Sequence, residues 1–169
     1  MKKLVLATRN KDKVREIREK FTDLRLEILT LSYLAPIPPV DEDGRTIEEN
    51  AVKKARTVFE YTGLPTLADD TGLEVDYLDG IPGVRSSRFA GEGARYSDNN
   101  RKLLQLMEGV PEEKRGARFR CVMALADGNG VITAQGICRG KILMGMRGQN
   151  GFGYDPIFLC PNMERPLPR

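Results

Sequence analysis

The 169-residue chain is 40% hydrophobic and 30% charged, a balance that suits one compact domain folding without disulfide or metal staples. Its 27 Lys and Arg against 24 Asp and Glu leave a net charge of +3, too weak a bias for a nucleic-acid surface but open to a small polyanionic ligand. Histidine is absent, which removes His-based triads, His-ligated zinc and imidazole bases and leaves acid-base chemistry to Asp, Glu, Lys, Tyr or Cys.

Residues 4–8 read as a short buried strand, and after a polar turn Val14, Ile17 and Phe21 keep helical spacing. A second strand is predicted over 24–31, followed by a loop over 32–45 that holds Pro36, Pro38 and Pro39 and then Asp41, Glu42 and Asp43. Thr46 and Glu49 form a capping box for a helix whose apolar stripe is Ile47, Ala51, Ala55, Val58 and Phe59 and which stops near Gly63. A strand over 66–68 is predicted to run into a turn made by Asp69, Asp70, Thr71 and Gly72, with Leu73, Val75 and Tyr77 alternating in another short strand. Ser97 is the expected cap of a helix carrying Leu103, Leu104 and Met107, which Pro111 closes. Ala117, Phe119, Cys121, Met123 and Leu125 alternate along a long strand that the DGNG turn at 127–130 reverses into a return strand over 131–142. The pattern is α/β with a mixed sheet.

Cys121, Cys138 and Cys160 lie far apart and lack C-x-x-C spacing, which reads as reduced, partly buried thiols of a cytoplasmic protein and not as a metal clip or redox pair. The four-residue apolar run near the start is too short for a signal peptide, and no stretch approaches membrane-spanning length, so no membrane partner is expected.

Four segments can carry chemistry. The turn Thr8, Arg9, Asn10, Lys11, Asp12 and Lys13 joins a strand to a helix, where free backbone N–H groups and the positive dipole end suit a phosphate; an ordinary strand-to-helix turn is the alternative. Lys54 falls within about 20° of Ile47 at 100° per residue and so points inward, while Lys53 points away. An inward lysine either meets an anion or snorkels at the core edge. Asp69 and Asp70, with the acidic run at 41–43, suit Mg²⁺, which takes a few carboxylates plus phosphate oxygens; a solvent-exposed Asp-Asp turn competes with that reading. In the glycine-rich loop at 148–155, Phe152 or Tyr154 can stack on a base, although a turn with a packed Phe has the same pattern. Arg85, Arg88, Arg115, Arg118 and Arg120 can attract phosphate but are as readily solvated surface charge.

Together, LATRNKDKVREI, TIEENAVKKA, ADDTGLEVDYLDGIPGVRSSRFAG and GFGYDPIF stand in one order along nearly the whole chain, and by them the sequence resembles the Ham1-like inosine/xanthosine triphosphate pyrophosphatase family. The resemblance implies a single α/β domain of ITPase-like fold, a long mixed β-sheet with two α/β lobes and an active-site cleft between them, in a homodimer. It implies hydrolysis of ITP, dITP and XTP to the monophosphate and pyrophosphate with Mg²⁺. Thr8, Asn10 and Lys13 match the phosphate-binding turn, Lys54 the helix lysine that reaches the phosphates, Asp70 the general base and metal ligand, and Thr71 a neighbour of the substrate. Asp41 and Glu42 both match the second metal carboxylate. Phe152, Gly153, Tyr154 and Asp155 match the segment lining the base pocket. Family members continue through a Ser-His-Arg segment and a final helix, whereas after Phe158 this sequence reads LCPNMERPLPR, so the resemblance also implies a C-terminally shortened domain with weakened base selectivity. A nucleotide-binding paralogue without turnover and a Maf-like pyrophosphatase of modified pyrimidine nucleotides are the competing readings, and GFGYDPIF argues against the second.

Overall fold

A computed structural model describes residues 2–34, 37–148 and 152–161. Pro36, the 149–151 part of the glycine-rich loop and residues 162–169 lie outside the described residues. The first elements are β1 (Lys2–Leu6), α1 (Lys11–Lys20) and β2 (Leu26–Thr30), followed by α2 (Ile47–Thr62), β3 (Thr66–Val75) and α3 (Tyr96–Leu106). The chain then forms β4 (Gly116–Asp127), β5 (Gly130–Ile142) and the short β6 (Phe158–Leu159). The strands make one sheet in the order β2-β1-β3-β4-β5-β6. β1 is parallel to both β2 and β3, and β5 is antiparallel to β6, so the sheet is mixed.

The chain divides into two compact units, Met1–Asp70 with Cys121–Gln135, and Thr71–Arg120 with Gly136–Arg169. In the first, Leu4, Val5, Leu6 and Ala7 are all buried, the continuous burial expected of a parallel strand covered on both faces. The α2 stripe Ile47, Ala51, Ala55 and Val58 is buried as its spacing requires. The Thr46 hydroxyl accepts the Glu49 N–H at 3.0 Å and the Glu49 carboxylate accepts the Arg45 N–H, while Gly63 closes the helix with φ of 66°, a conformation glycine adopts without strain. In the second unit, Leu73, Val75, Leu103, Met107, Ala117, Ile142 and Ile157 form a buried cluster against which Phe89, Phe119 and Phe158 pack. Among the described residues no helix is long and apolar enough to cross a membrane.

Several expectations change. Asp69, Asp70, Thr71 and Gly72 do not form a turn: β3 runs through them unbroken, because pairing within the sheet overrides the local turn preference of Asp and Gly. Both carboxylates are buried, at 6% and 7% exposure, which rules out the solvent-exposed pair. Tyr77 falls in a 3-10 turn after the strand. Ser97 lies inside α3, which is capped instead by the Asp98 carboxylate accepting the Arg95 N–H at 3.1 Å. In β4 the deeply buried residues past its midpoint are Val122, Ala124 and Ala126, with Cys121, Met123 and Leu125 half-buried, since both faces of the strand carry apolar side chains. Cys138 and Cys160, 22 residues apart, are brought to an Sγ–Sγ distance of 3.5 Å as free thiols. Antiparallel pairing of β5 with β6 supplies the proximity that chain spacing conceals.

Arg115 is not solvated charge. The Arg115 guanidinium, in a residue 2% exposed, donates to the carbonyls of Met107, Val110, Ile142 and Leu143 and so ties the end of α3 to the end of β5. Arg118 and Arg120 both pair with Glu74 of β3.

Candidate active site

In the first unit the strand order β2-β1-β3 makes the chain leave β1 toward one side for β2 and return on the other for β3. At such a switch point the loops beyond the carboxyl ends of adjacent strands diverge and leave room for a ligand. The turn of residues 8–13 leaves β1 there, and Leu6 is in register with Leu67 of β3, so Asp69 and Asp70 follow within a few residues on the neighbouring strand.

The turn is organised by its own side chains. Asn10 is the N-cap of α1, its Oδ1 accepting the N–H groups of Asp12 at 2.9 Å and Lys13 at 3.4 Å, and the Thr8 hydroxyl accepts the Asn10 N–H. Two of the helix-start donors expected to face a phosphate are therefore already engaged. Arg9 donates to the Ile37 carbonyl at 2.7 Å and Asp12 pairs with Arg15. Lys11 is exposed at the first helical position.

Lys13 extends from the first turn of α1 to Asp69, with Nζ 2.5 Å from Oδ2. Burial works against its ammonium, but Asp69, Asp70 and Cys121 together outweigh burial, so the pKa lies above that of an ordinary lysine. Asp69, noted in the sequence only as half of a pair, is thus the anchor of Lys13.

Asp70 points the other way, as successive residues of a strand must. Lys54 reaches it from α2: Nζ is 3.8 Å from Asp70 Oδ1 and 2.8 Å from Glu42 Oε1. The inward lysine meets anions, while Lys53 turns to exposed Asp43. In the acidic run, Glu42 joins the Lys54 cluster whereas Asp41 is exposed. Burial raises the pKa of Asp70 and Glu42 raises it further, against the opposing pull of Lys54, Asn50 and Lys13. Asn50, fully buried, donates from Nδ2 to Asp70 Oδ2 at 3.1 Å. It escaped the sequence reading although it sits three residues after Ile47 inside the apolar stripe, the same signal that singled out Lys54. Thr71 is the next residue of β3, half-buried.

In the second unit the aromatic segment resolves into separate roles. Tyr154 is 5% exposed and its hydroxyl donates to the Ser86 carbonyl at 2.8 Å, so it is a core residue and cannot stack on a base. Phe152 is half-buried, 6.2 Å from the Tyr96 ring centroid, and its N–H donates to Asp155 Oδ2. Gly153, at φ of 62°, accepts from Asn100. Burial raises the Asp155 pKa, against the hydrogen bond from Phe152.

A model of the Ham1 family matches residues 4–167 of the chain. The dITP/XTP pyrophosphatase of Desulforamulus reducens is 51% identical over 164 residues, covering 96% of this chain and 82% of that protein. The dITP/XTP pyrophosphatase of Vibrio cholerae is 50% identical, covering 95% of this chain and 82% of that protein. A HAM1 protein structure from Coxiella burnetii superposes with a TM-score of 0.88 at 40% identity, covering 98% of this chain and 85% of that one.

Proposed function

The chain belongs to the Ham1 family, and from that premise we propose that it hydrolyses non-canonical purine nucleoside triphosphates, among them ITP, dITP and XTP, to the monophosphate and pyrophosphate. The observation that carries this reading is the gathering of Glu42 and Asp70 around the Lys54 ammonium at the switch point of the sheet. Two carboxylates sharing one cation make a pair suited to a hard divalent ion, and Mg²⁺ takes one or two carboxylates together with phosphate oxygens and water.

Glu42 and Asp70 would hold the Mg²⁺. When bound, it supplies neutralising charge and polarises the phosphoryl oxygens. Lys54 and Lys13 place two further cations where the triphosphate charge accumulates. Asp70 orients the attacking water and takes its proton. The water oxygen bonds to the α-phosphorus, and the bond to the bridging oxygen breaks, so pyrophosphate leaves without a covalent enzyme intermediate. Thr8, Asn10 and the 9–13 turn position the phosphates through Lys13, Thr71 neighbours them, and Phe152 with Gly153 and Asp155 is the segment assigned to the base, with Tyr154 as its buried support. The protein acts in the cytoplasm as a homodimer on a small nucleotide, without a nucleic-acid or membrane partner.

Pyrophosphate release from dITP, XTP, GTP and ATP, with and without Mg²⁺, tests this. Rapid Mg²⁺-dependent release from dITP and XTP is expected. No release from dITP or XTP in the presence of Mg²⁺ overturns the reading.

A further inference from the structure

We infer that Asn50 is a positioning residue that locks the Asp70 carboxylate and the acidic loop into one register; the inference rests on the proposed pyrophosphatase reading. Its amide spans both parts of the site. Nδ2 donates to Asp70 Oδ2 at 3.1 Å, and Oδ1 accepts the Gly44 N–H at 2.8 Å, two residues beyond Glu42. A primary amide offers a donor at one end and an acceptor at the other, and the carboxylate on β3 can only accept while the loop N–H can only donate. A carboxylate at position 50 would set like charge against Asp70, and an aliphatic side chain would leave both groups unsatisfied.

Gly44 is fitted to the same contact. A Cβ at that position would stand 2.6 Å from Asn50 Oδ1 and 2.9 Å from Glu49 Cβ, so only glycine lets the loop backbone come within hydrogen-bonding distance of the amide. The position of Asn50 is fixed in turn by full burial in the α2 stripe, one turn before Lys54. With Oδ2 of Asp70 held by Asn50, Oδ1 is the oxygen turned toward Lys54. The amide thereby decides which carboxylate oxygen faces the water and how far Glu42 stands from it, the sub-ångström placement on which proton transfer depends.

The experiment compares the parent with Asn50→Leu, of similar volume without polar atoms, and Asn50→Asp, which keeps the shape and the acceptor. It measures kcat and KM for dITP with Mg²⁺, the thermal unfolding midpoint, and hydrogen exchange of the Gly44 amide. Expected are a kcat loss on the order of 100-fold in Asn50→Leu with KM changed less than about threefold, and faster Gly44 exchange in Asn50→Leu than in Asn50→Asp. The kcat loss should persist at temperatures where the midpoint shows the variant fully folded. A folded Asn50→Leu with kcat within threefold of the parent, or unchanged Gly44 exchange, overturns the inference alone. If Asn50→Leu does not fold, Asn50→Asp decides: its retained acceptor with a lost donor must still lower kcat at least tenfold, and parental kcat overturns the inference. A parent that releases no pyrophosphate overturns the functional reading and the inference with it.

Discussion

Lys13 and Asp69 make a close ion pair, Nζ to Oδ2 at 2.5 Å, between the first turn of α1 and the middle of β3. The Asp69 side chain is 7% exposed and that of Lys13 21%, so removing either partner strands a largely desolvated charge. Asp69→Asn is expected to destabilise the fold by about 3 kcal/mol, the lower end of the cost of breaking a buried pair, read from urea unfolding. Lys13→Met with Asp69→Asn should recover part of that loss. If the double variant is as unstable as the sum of the two single variants, the pair is not coupled.

Asp70→Asn is expected to reduce pyrophosphate release at least 100-fold while triphosphate binding stays measurable by calorimetry, because the amide retains the shape but cannot accept the proton of the attacking water. Chelating Mg²⁺ should silence the parent to a similar degree. Turnover by Asp70→Asn near that of the parent would remove Asp70 from the role of base.

Lys54→Ala should lower kcat/KM by roughly 100-fold or more, since it withdraws a cation from the phosphates and leaves Glu42 and Asp70 facing one another without their shared ammonium. Lys53→Ala should stay within about twofold, as its partner Asp43 is on the surface. Equal losses in steady-state kinetics would contradict the inward phase of α2.

The Glu74 carboxylate bridges Arg118 and Arg120. Burial raises its pKa, but the two guanidinium groups outweigh burial and hold it below the ordinary glutamate value of 4.5. A pKa depressed in the folded state means that the unfolded chain binds the proton first. The stabilisation is therefore complete above pH of about 4.5 and fades as pH falls through the lower folded pKa. Glu74→Gln should flatten this part of the acid-unfolding curve and leave stability nearly unchanged relative to the parent at pH values below the folded pKa, where the parent carboxyl is protonated in both states. A Glu74→Gln curve parallel to that of the parent across this window would show that the bridge contributes nothing.

Arg115→Met is expected to cost about 3 kcal/mol or more, because several buried carbonyls lose their donor at roughly 1–3 kcal/mol each, while kcat for dITP changes little at a temperature where the variant is folded. Thermal unfolding beside a dITP assay checks both halves. A stable variant would mean that the four carbonyls find other donors.

Local rules written in the chain sufficed for much of this molecule. The capping box at Thr46 and Glu49, the stop at Gly63 and the inward phase of Lys54 follow from 3.6-residue periodicity and from chemistry within a single helix, so α2 and its lysine were legible before any fold was known. The resemblance carried by the four motif segments marked Asp70, the 8–13 turn and the 152–155 segment as expected site residues. What the chain could not disclose depends on partners far away in sequence. Asp69 and Asp70 have the composition of a turn, and only the neighbours of β3 in the sheet make them strand residues with buried carboxylates directed to opposite faces. Glu42 differs from Asp41 only in being the one that meets Lys54, 12 residues on. The amide of Asn50 acquires meaning from Asp70, 20 residues on, and from Gly44 behind it. Tyr154 becomes core and not a stacking platform through Ser86, 68 residues earlier. Periodicity records which face of an element is buried; which groups meet across that face is settled by strand order and register, which bring together residues that share no local pattern.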